Sequence, residues 1–207
     1  MKVCKFFIDY DKEEKWLNEM AKRGYELKNA YNGLYEFHFG KPEDAIIRID
    51  YRNFKSQVDF NDYCALFEDS GWKHEAGSKR SGNQYFKKID QNGNDDIFSD
   101  TASRAGKYKR VSSMWMSLAV SYITISVSLM ITNHINFSSI LHPERLYYTP
   151  GLWEMKGLRF LGAFLFETPF AIMRGFSWLI FIIFIILYLA FSIKTRILYK
   201  NLKHNNY

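Results

Sequence analysis

The sequence is poor in the residues that most often restrict a protein's chemistry: it has 2 cysteines and 4 prolines among 207 residues. Cys4 and Cys64 both fall in the half that we expect to face the cytosol, which argues against a structural disulfide and predicts two buried free thiols. With His38 and His74 they offer zinc-ligand chemistry, but neither C-x-x-C nor H-x-x-x-H spacing occurs, so no metal site is predicted. The sequence shows no nucleophile, set of metal ligands or carboxylate pair in an arrangement typical of an active site. We therefore expect no catalytic residues and no cofactor.

Charge is absent from one long stretch and uneven elsewhere. Residues 111–132 contain no charged side chain, whereas residues 1–89 carry 16 bases and 15 acids. Residues 104–110 add four bases, and the remainder from Val111 carries 8 bases and 3 acids. A nucleic-acid-binding protein concentrates positive charge on its soluble domain. Here the bases flank apolar segments, which predicts anionic lipid as their partner and excludes nucleic acid.

Two apolar segments are long enough for helices that cross a bilayer, which needs about 20 residues. We predict spans at 111–132 and 169–193, the second beginning at Thr168-Pro169, and an external connection at 133–168 with an interfacial helix near 152–166. Bases before the first span and in the tail 194–207 predict that both termini are cytoplasmic. The membrane-surface cluster before the first span consists of Arg104, Lys107, Lys109 and Arg110.

Residues 1–89 contain a repeat that predicts an α+β domain. The first predicted strand includes Cys4 and ends with Phe6–Tyr10, and the others are predicted at Leu34–Phe39, Ile47–Tyr51 and Gln84–Ile89. Each half adds one amphipathic helix, capped by Asp11 or Asp59 and ended by Gly24 or Gly71. Two β-α-β halves predict a ferredoxin-like domain with a four-stranded antiparallel sheet, followed by a flexible linker at 90–110. Asp9 and Asp50 are equivalent in this repeat, but the arrangement separates them and excludes an acid–base pair.

The run EEKWLNEMAKRGYELKN, followed by YEF, IRIDYR, DYCALFEDSGWKHE and YFKK, resembles the bacterial family called domain of unknown function 2812. The resemblance covers roughly residues 1–88. It implies a small domain joined to C-terminal transmembrane helices, and members often occur beside PadR-type transcription regulators. No activity or cofactor is established for that family, so the resemblance implies an architecture and no site.

Strand alternation leaves one sheet face without a helix over it, and we predict this face as a surface for a protein partner or small ligand. Its alternative is a solvated face held by cross-strand charge pairs. An RNA-binding sheet displays two or three stacking aromatics, and only Phe7 qualifies here. The candidate residues are Lys5, Phe7, Asp9, Glu36, His38, Arg48, Asp50 and Arg52.

These observations favour a membrane-anchored regulatory or interaction protein of the bacterial cell membrane, whose cytosolic domain binds a protein partner or small ligand. The alternative is an accessory subunit of a membrane transporter or envelope-stress complex, acting through its transmembrane hairpin and external segment. The expected partners are the lipid bilayer and a protein in or at the membrane, and a homo-oligomer is left open. An enzyme is the least favoured reading.

Overall fold

The computed structural model describes residues 1–90, 92–132 and 142–204, which form two compact units. The first unit comprises the described residues of Met1–Met114 and Phe191–Tyr207, and the second comprises those of Trp115–Ala190. The predicted connection at 133–168 and tail at 194–207 therefore lie partly outside the described residues.

The first unit contains two βαββ repeats, which confirms the mixed α+β class. Each repeat forms a three-stranded antiparallel sheet, with strand orders β1-β3-β2 and β4-β6-β5. The elements are β1 (Lys2–Cys4), α1 (Tyr10–Lys22), β2 (Tyr25–Tyr31), β3 (Leu34–Phe39), β4 (Ile47–Tyr51), α2 (Gln57–Asp69), β5 (Trp72–Ala76) and β6 (Asn83–Lys88).

The predicted four-stranded ferredoxin-like sheet is wrong, because each repeat has one strand more than predicted. Gly24 and Gly71 adopt left-handed backbone angles (φ +81 in both) that end the helices and direct the chain straight into β2 and β5. β2 then turns into β3 through Asn32-Gly33, both at positive φ. An Asn-Gly pair is a strong hairpin signal, and it indicates β2, a strand that side-chain alternation does not predict.

The repeat is real, but its register differs from the prediction. The helix N-caps are Asp9 and Ser56, whose side chains accept hydrogen bonds from the N–H groups of Asp11 and Asp59. These caps lie 47 residues apart, as do the glycines that end the helices. The predicted caps Asp11 and Asp59 lie in the first turns instead.

The similar strings FFIDY and IRIDY are consequently not equivalent. Residues 6–9 form an irregular connection and Tyr10 begins α1, whereas Ile47–Tyr51 is a strand. Asp9 corresponds to Ser56 rather than to Asp50. The predicted extension of the first strand through Phe6–Tyr10 is therefore wrong, and this strand occupies Lys2–Cys4.

The core lies between the helices and the sheets. On α1, Leu17 is buried, and this helix lies beside β2 and β4. Tyr63 of α2 packs with Trp72 and Phe86 of the second sheet. The prediction of two buried thiols is wrong, because Cys4 is exposed and Cys64 is only partly buried. Burial of aromatic side chains contributes most of the apolar area in such a small core.

Helix α3 (Thr101–Ile131) begins inside the segment predicted as a flexible linker. Asp100 caps it by accepting a hydrogen bond from the N–H of Ser103 (2.7 Å). Before the helix, Asp95 pairs with Lys88 (2.6 Å) and Ile97 packs against the second-sheet core. The segment is thus attached to the domain, which corrects the prediction of a free tether.

Among the described residues after Ile131, two short 3-10 helices (Pro143–Leu146 and Leu152–Glu154) precede two α-helices, α4 (Gly157–Phe176) and α5 (Leu179–His204). In the first unit, Ser192 of α5 exchanges hydrogen bonds with Ser112 of α3, each hydroxyl donating to the other's backbone carbonyl at 3.0 Å. Small hydroxyl residues allow helices to approach closely. The start of the apolar part of α3 therefore lies beside the last part of α5.

In the second unit, Pro169 lies inside α4, so the prediction that Thr168-Pro169 starts a helix is wrong. Glu167 accepts hydrogen bonds from the Thr149 hydroxyl, from the backbone N–H groups of Tyr148 and Thr149, and from Arg174 (2.8 Å). These bonds hold the pKa of Glu167 well below its usual range. They attach the segment before α4 to this helix.

Helices α3 and α5 are long and apolar enough to cross a membrane. Their apolar parts pack in the second unit through aromatic rings, with Trp115 stacked on Tyr188 at 5.6 Å and Tyr122 against Phe184 at 5.4 Å. The predicted second span at 169–193 is divided by the structure between the end of α4 and the start of α5.

Candidate functional site

The outer edge of β4 is closed by side chains instead of by another strand. Ile47, Ile49 and Tyr51 direct their N–H and C=O groups away from the β6 pairing. All six groups are bonded, the N–H groups to Asn18 Oδ1 (2.8 Å), Glu14 Oε1 (3.1 Å) and Asp50 Oδ1 (2.7 Å), and the C=O groups to Arg48 (3.1 Å), Lys107 (3.2 Å) and Arg110 (2.6 Å). An open edge is a template for strand addition, and this capping blocks it.

Lys107 is the charge at the centre of this edge. Its side chain is 1% exposed, and its ammonium lies 2.9 Å from Oε1 of Glu14, which is also buried. The ammonium also lies within 5.6 Å of the ring centres of Tyr10, Phe98 and Tyr108. A buried charge is tolerated when it is paired and hydrogen-bonded. The pair thereby joins α3 to α1 and to β4.

Arg110 makes the second attachment of α3. Its Nη2 donates to Oδ1 of Asp50 (2.5 Å) and its Nε to the carbonyl of Tyr51 (2.6 Å). Asp50 is buried and also accepts a hydrogen bond from the Tyr63 hydroxyl (2.9 Å). Burial, followed by the nearby Asp50 charge, raises the pKa of Tyr63, so this hydroxyl stays protonated as a donor.

Glu13 joins the two repeats. Its Oε1 accepts hydrogen bonds from Tyr35 of β3 (2.6 Å) and Tyr85 of β6 (2.7 Å), so one carboxyl bridges both sheets. Burial raises the pKa of Glu13, and the two hydroxyls oppose this only in part. The carboxyl is therefore more basic than a solvated glutamate.

Local helix geometry explains why α3 presents these groups together. Arg104, Lys107, Tyr108 and Val111 are spaced i, i+3, i+4 and i+7, which places them on one helix face. Tyr108 donates to Asp9 Oδ1 (3.1 Å), and Arg104 pairs with Asp11 (3.2 Å) and Asp96 (3.4 Å). This face, with Arg110 beside it, is the attachment face of α3.

A cleft of about 470 Å³ opens beside the Asp50–Arg110 pair. One wall is α2, and the other is formed by residues 97–99 and the first turns of α3. It is lined by Asp50, Arg52, Tyr63, Leu66, Phe67, Ile97, Phe98, Ser99, Ala102, Ser103, Gly106 and Arg110. A cleft of this volume suits a small organic molecule.

The structure does not bring the eight predicted partner-binding residues together. On the first sheet, Glu36 pairs with the cross-strand Lys2 (2.7 Å) and His38 with Glu26 (2.8 Å), which is the solvated charge-pair arrangement that we gave as the alternative.

The other six predicted residues lie in three different surroundings. Lys5 and Phe7 lie against the Trp16 ring, and Asp9 caps α1. Arg48 lies at the β4 edge, 3.7 Å from Glu14. Asp50 and Arg52 line the cleft.

The predicted membrane-surface cluster is also divided. Arg104, Lys107 and Arg110 bond carboxylates of the domain, while Lys109 is exposed on the same helix. Three of the four bases therefore attach α3 to the domain, because carboxylates of the domain lie within ion-pair distance of their side chains.

Glu13 and Glu14 are not among the site residues predicted from the sequence. A usable signal was present: Tyr10, Glu13, Glu14 and Leu17 follow i, i+3, i+4, i+7 spacing, so both acids lie on the apolar stripe of α1. Acids on a buried stripe require partners. Within the described residues, no group of three or more His, Cys, Asp or Glu could hold a metal ion.

Comparison with known proteins gives one family. A family model described as "Protein of unknown function (DUF2812)" matches residues 9–120. No curated protein and no solved structure matches the chain. The matched region extends past β6 and includes the attachment face of α3 and the beginning of its apolar part.

We expect Lys107→Met to destabilise the first unit by roughly 3–5 kcal/mol, because it leaves the buried Glu14 carboxylate without its cation. Lys109→Met on the same helix is the matched control and should change stability by less than about 0.5 kcal/mol. Urea unfolding of the full chain in detergent micelles, followed by near-UV circular dichroism, measures both. Adding Glu14→Gln to Lys107→Met should recover part of the loss; equal losses in the two lysine variants would contradict the attachment.

A second prediction concerns pH. Because the folded-state pKa of Glu13 is raised, the folded chain holds this proton at a pH where the unfolded chain has lost it, so stability falls as pH rises above the ordinary glutamate range. Glu13→Gln keeps an oxygen acceptor for both tyrosines and removes this titration. Its melting temperature should match wild type near about pH 4 and exceed it once the pH rises above the ordinary glutamate range, where the unfolded wild-type chain has lost this proton. Glu19→Gln, at an exposed position of α1, is the matched control, and its melting temperature should not show this pH-dependent gain over wild type.

Proposed function

The chain belongs to the family of proteins of unknown function DUF2812, and we propose that it is a membrane-anchored regulatory or interaction protein. In this proposal the βαββ-repeat domain binds a protein partner or a small ligand, and α3 carries the effect to the membrane. The observation that carries it is the double attachment of α3 through Lys107 and Arg110 to Glu14, Asp50 and the β4 edge.

This attachment makes one helix serve two roles. Residues 101–111 of α3 supply buried groups to the domain, and the helix continues to Ile131 with an apolar composition. A change that breaks or tightens the Lys107 and Arg110 contacts therefore changes the restraint on a helix suited to a bilayer. A freely jointed linker would not transmit such a change, since each of its residues reorients independently.

Membrane insertion and orientation are part of the proposal. The length and composition of α3 and α5 support two spans in a bacterial cell membrane. The Ser112–Ser192 contact supports an antiparallel hairpin with both ends on one side, and the bases Lys194, Arg196, Lys200 and Lys203 favour the cytoplasmic side. We place the domain and both termini in the cytoplasm.

A second candidate is an accessory subunit that acts through its hairpin and the segment that contains α4. The observation in its favour is the apolar surface of α4, where Leu158 is 88% exposed and Phe166 is 74% exposed. Such side chains require lipid or a protein neighbour. In this candidate, a transporter or stress-response subunit covers that surface.

Orientation can be measured with the natural cysteine. In a Cys64→Ala background, the exposed Cys4 should resist a membrane-impermeant maleimide in intact bacterial spheroplasts and react after permeabilisation. The matched chain carries Cys4→Ser, Cys64→Ala and Glu154→Cys, and its single thiol should react in intact spheroplasts. The reverse pattern in the two chains would overturn the orientation.

The two candidate functions predict opposite results from crosslinking in native membranes. We compare the tagged full chain with a chain lacking residues 1–110 and with a chain whose residues 115–190 are replaced by an unrelated two-helix anchor. If the domain binds the partner, adducts disappear in the first variant and persist in the second. Persistence without the domain and loss with the foreign anchor would reject this function and favour the accessory subunit.

A further inference from the structure

The cleft beside Arg110 contains positively charged groups that are available to a ligand. Arg110 employs its Nε and Nη2 on Tyr51 and Asp50. Across residues 1–90, 92–132 and 142–204, neither Nη1 of Arg110 nor the guanidinium of Arg52 has a hydrogen-bond partner, although both residues line the cleft. Arg52 lies over the ring of Tyr63, with its guanidinium carbon 5.5 Å from the ring centre.

The negative charge of the cleft is already neutralised. Asp50 accepts from Arg110, from Tyr63 and from a backbone N–H, so its oxygens are occupied. The cleft is therefore lined by two guanidinium groups and by one carboxylate that already pairs with Arg110, which leaves an excess of donors. Guanidinium groups match the planar geometry of carboxylate and phosphate oxygens, so an oxyanion is the complementary ligand.

The walls of the cleft are partly apolar, so we expect the same ligand to carry an apolar group. Leu66 is 64% exposed beside the partly buried rings of Phe67 and Phe98. Gly106 adds no side chain next to Nη1 of Arg110, where a Cβ would lie 3.4 Å from that atom, so this donor stays accessible. Ligand sites of this size typically combine apolar walls with a few oriented polar groups.

We propose that this cleft binds a small organic oxyanion, a phosphate or carboxylate joined to an aromatic or branched apolar group. The oxyanion lies between Arg52 and Arg110, and the apolar group lies against Leu66, Phe67 and Phe98. The inference rests on the proposed function and names the ligand class of its domain. Because Arg110 belongs to α3, occupancy acts directly on one of the residues that attach that helix to the domain.

The test uses 4-fluorophenyl phosphate as the probe and the full chain in phosphatidylcholine nanodiscs, with fluorine NMR line broadening as the readout. Binding should be saturable, and Arg52→Gln should weaken it by about tenfold or more, the usual effect of losing a hydrogen bond to a charged group. Arg80→Gln, at an exposed position outside the cleft, is the matched control and should bind as wild type does. Inorganic phosphate should compete at least about tenfold more weakly, since it lacks the apolar part.

Absence of saturable binding, or equal binding by the Arg52→Gln and Arg80→Gln chains, would overturn the proposal. Nanodiscs of phosphatidylglycerol distinguish the two sources of the oxyanion. If the probe binds more weakly in phosphatidylglycerol than in phosphatidylcholine nanodiscs, the lipid headgroup competes for the cleft and is the oxyanion. If the probe binds equally in both, the natural ligand is a water-soluble molecule. If the probe does not bind but the crosslinks still depend on the domain, this inference is rejected and the proposed function is retained.

Discussion

The buried pair of Lys107 and Glu14 is the interaction on which the domain's attachment to α3 depends. Glu14 binds the ammonium and the N–H of Ile49, while Lys107 also binds the Ile49 carbonyl, so one pair closes the middle of the β4 edge from two helices. Neither charge is stable alone at this depth, because desolvation of an unpaired ion costs several kcal/mol. The requirement works in both directions: α3 must be present for α1 and β4 to keep their polar groups satisfied, and the domain must be folded for Lys107 to be buried.

The same logic extends to the other acids of the first unit. Glu13 joins the two sheets through tyrosine hydroxyls, and Asp50 joins β4, α2 and α3 through Tyr51, Tyr63 and Arg110. Polar networks of this kind are stable only when each member is satisfied. Arg110 occupies a special position, since it completes the network on one side and faces the cleft on the other. This makes the cleft the place where an external molecule could most directly affect how α3 is held.

Local patterns predicted part of this arrangement. The apolar lengths predicted two helices suited to a membrane, the repeat predicted two similar α+β halves, and the stripes of α1 and α2 predicted which faces are buried. The predicted four-stranded sheet is wrong because Gly24 and Gly71 direct the chain into β2 and β5, two strands that the alternation pattern does not indicate. The predicted binding face failed to assemble because it assumed one sheet, whereas β3 and β4 belong to two.

The sequence by itself determined the features that depend on neighbouring residues, namely the uncharged stretch after Arg110 and the amphipathic helices of a repeated domain. It also determined the family. Only the tertiary structure decided what the charges do. Lys107 meets Glu14 across 93 positions and Arg110 meets Asp50 across 60, and no local pattern specifies those pairings. A run of bases before an apolar helix has two stable environments, anionic lipid or buried carboxylate. The second applies to Lys107 and Arg110, because the fold buries their partners Glu14 and Asp50.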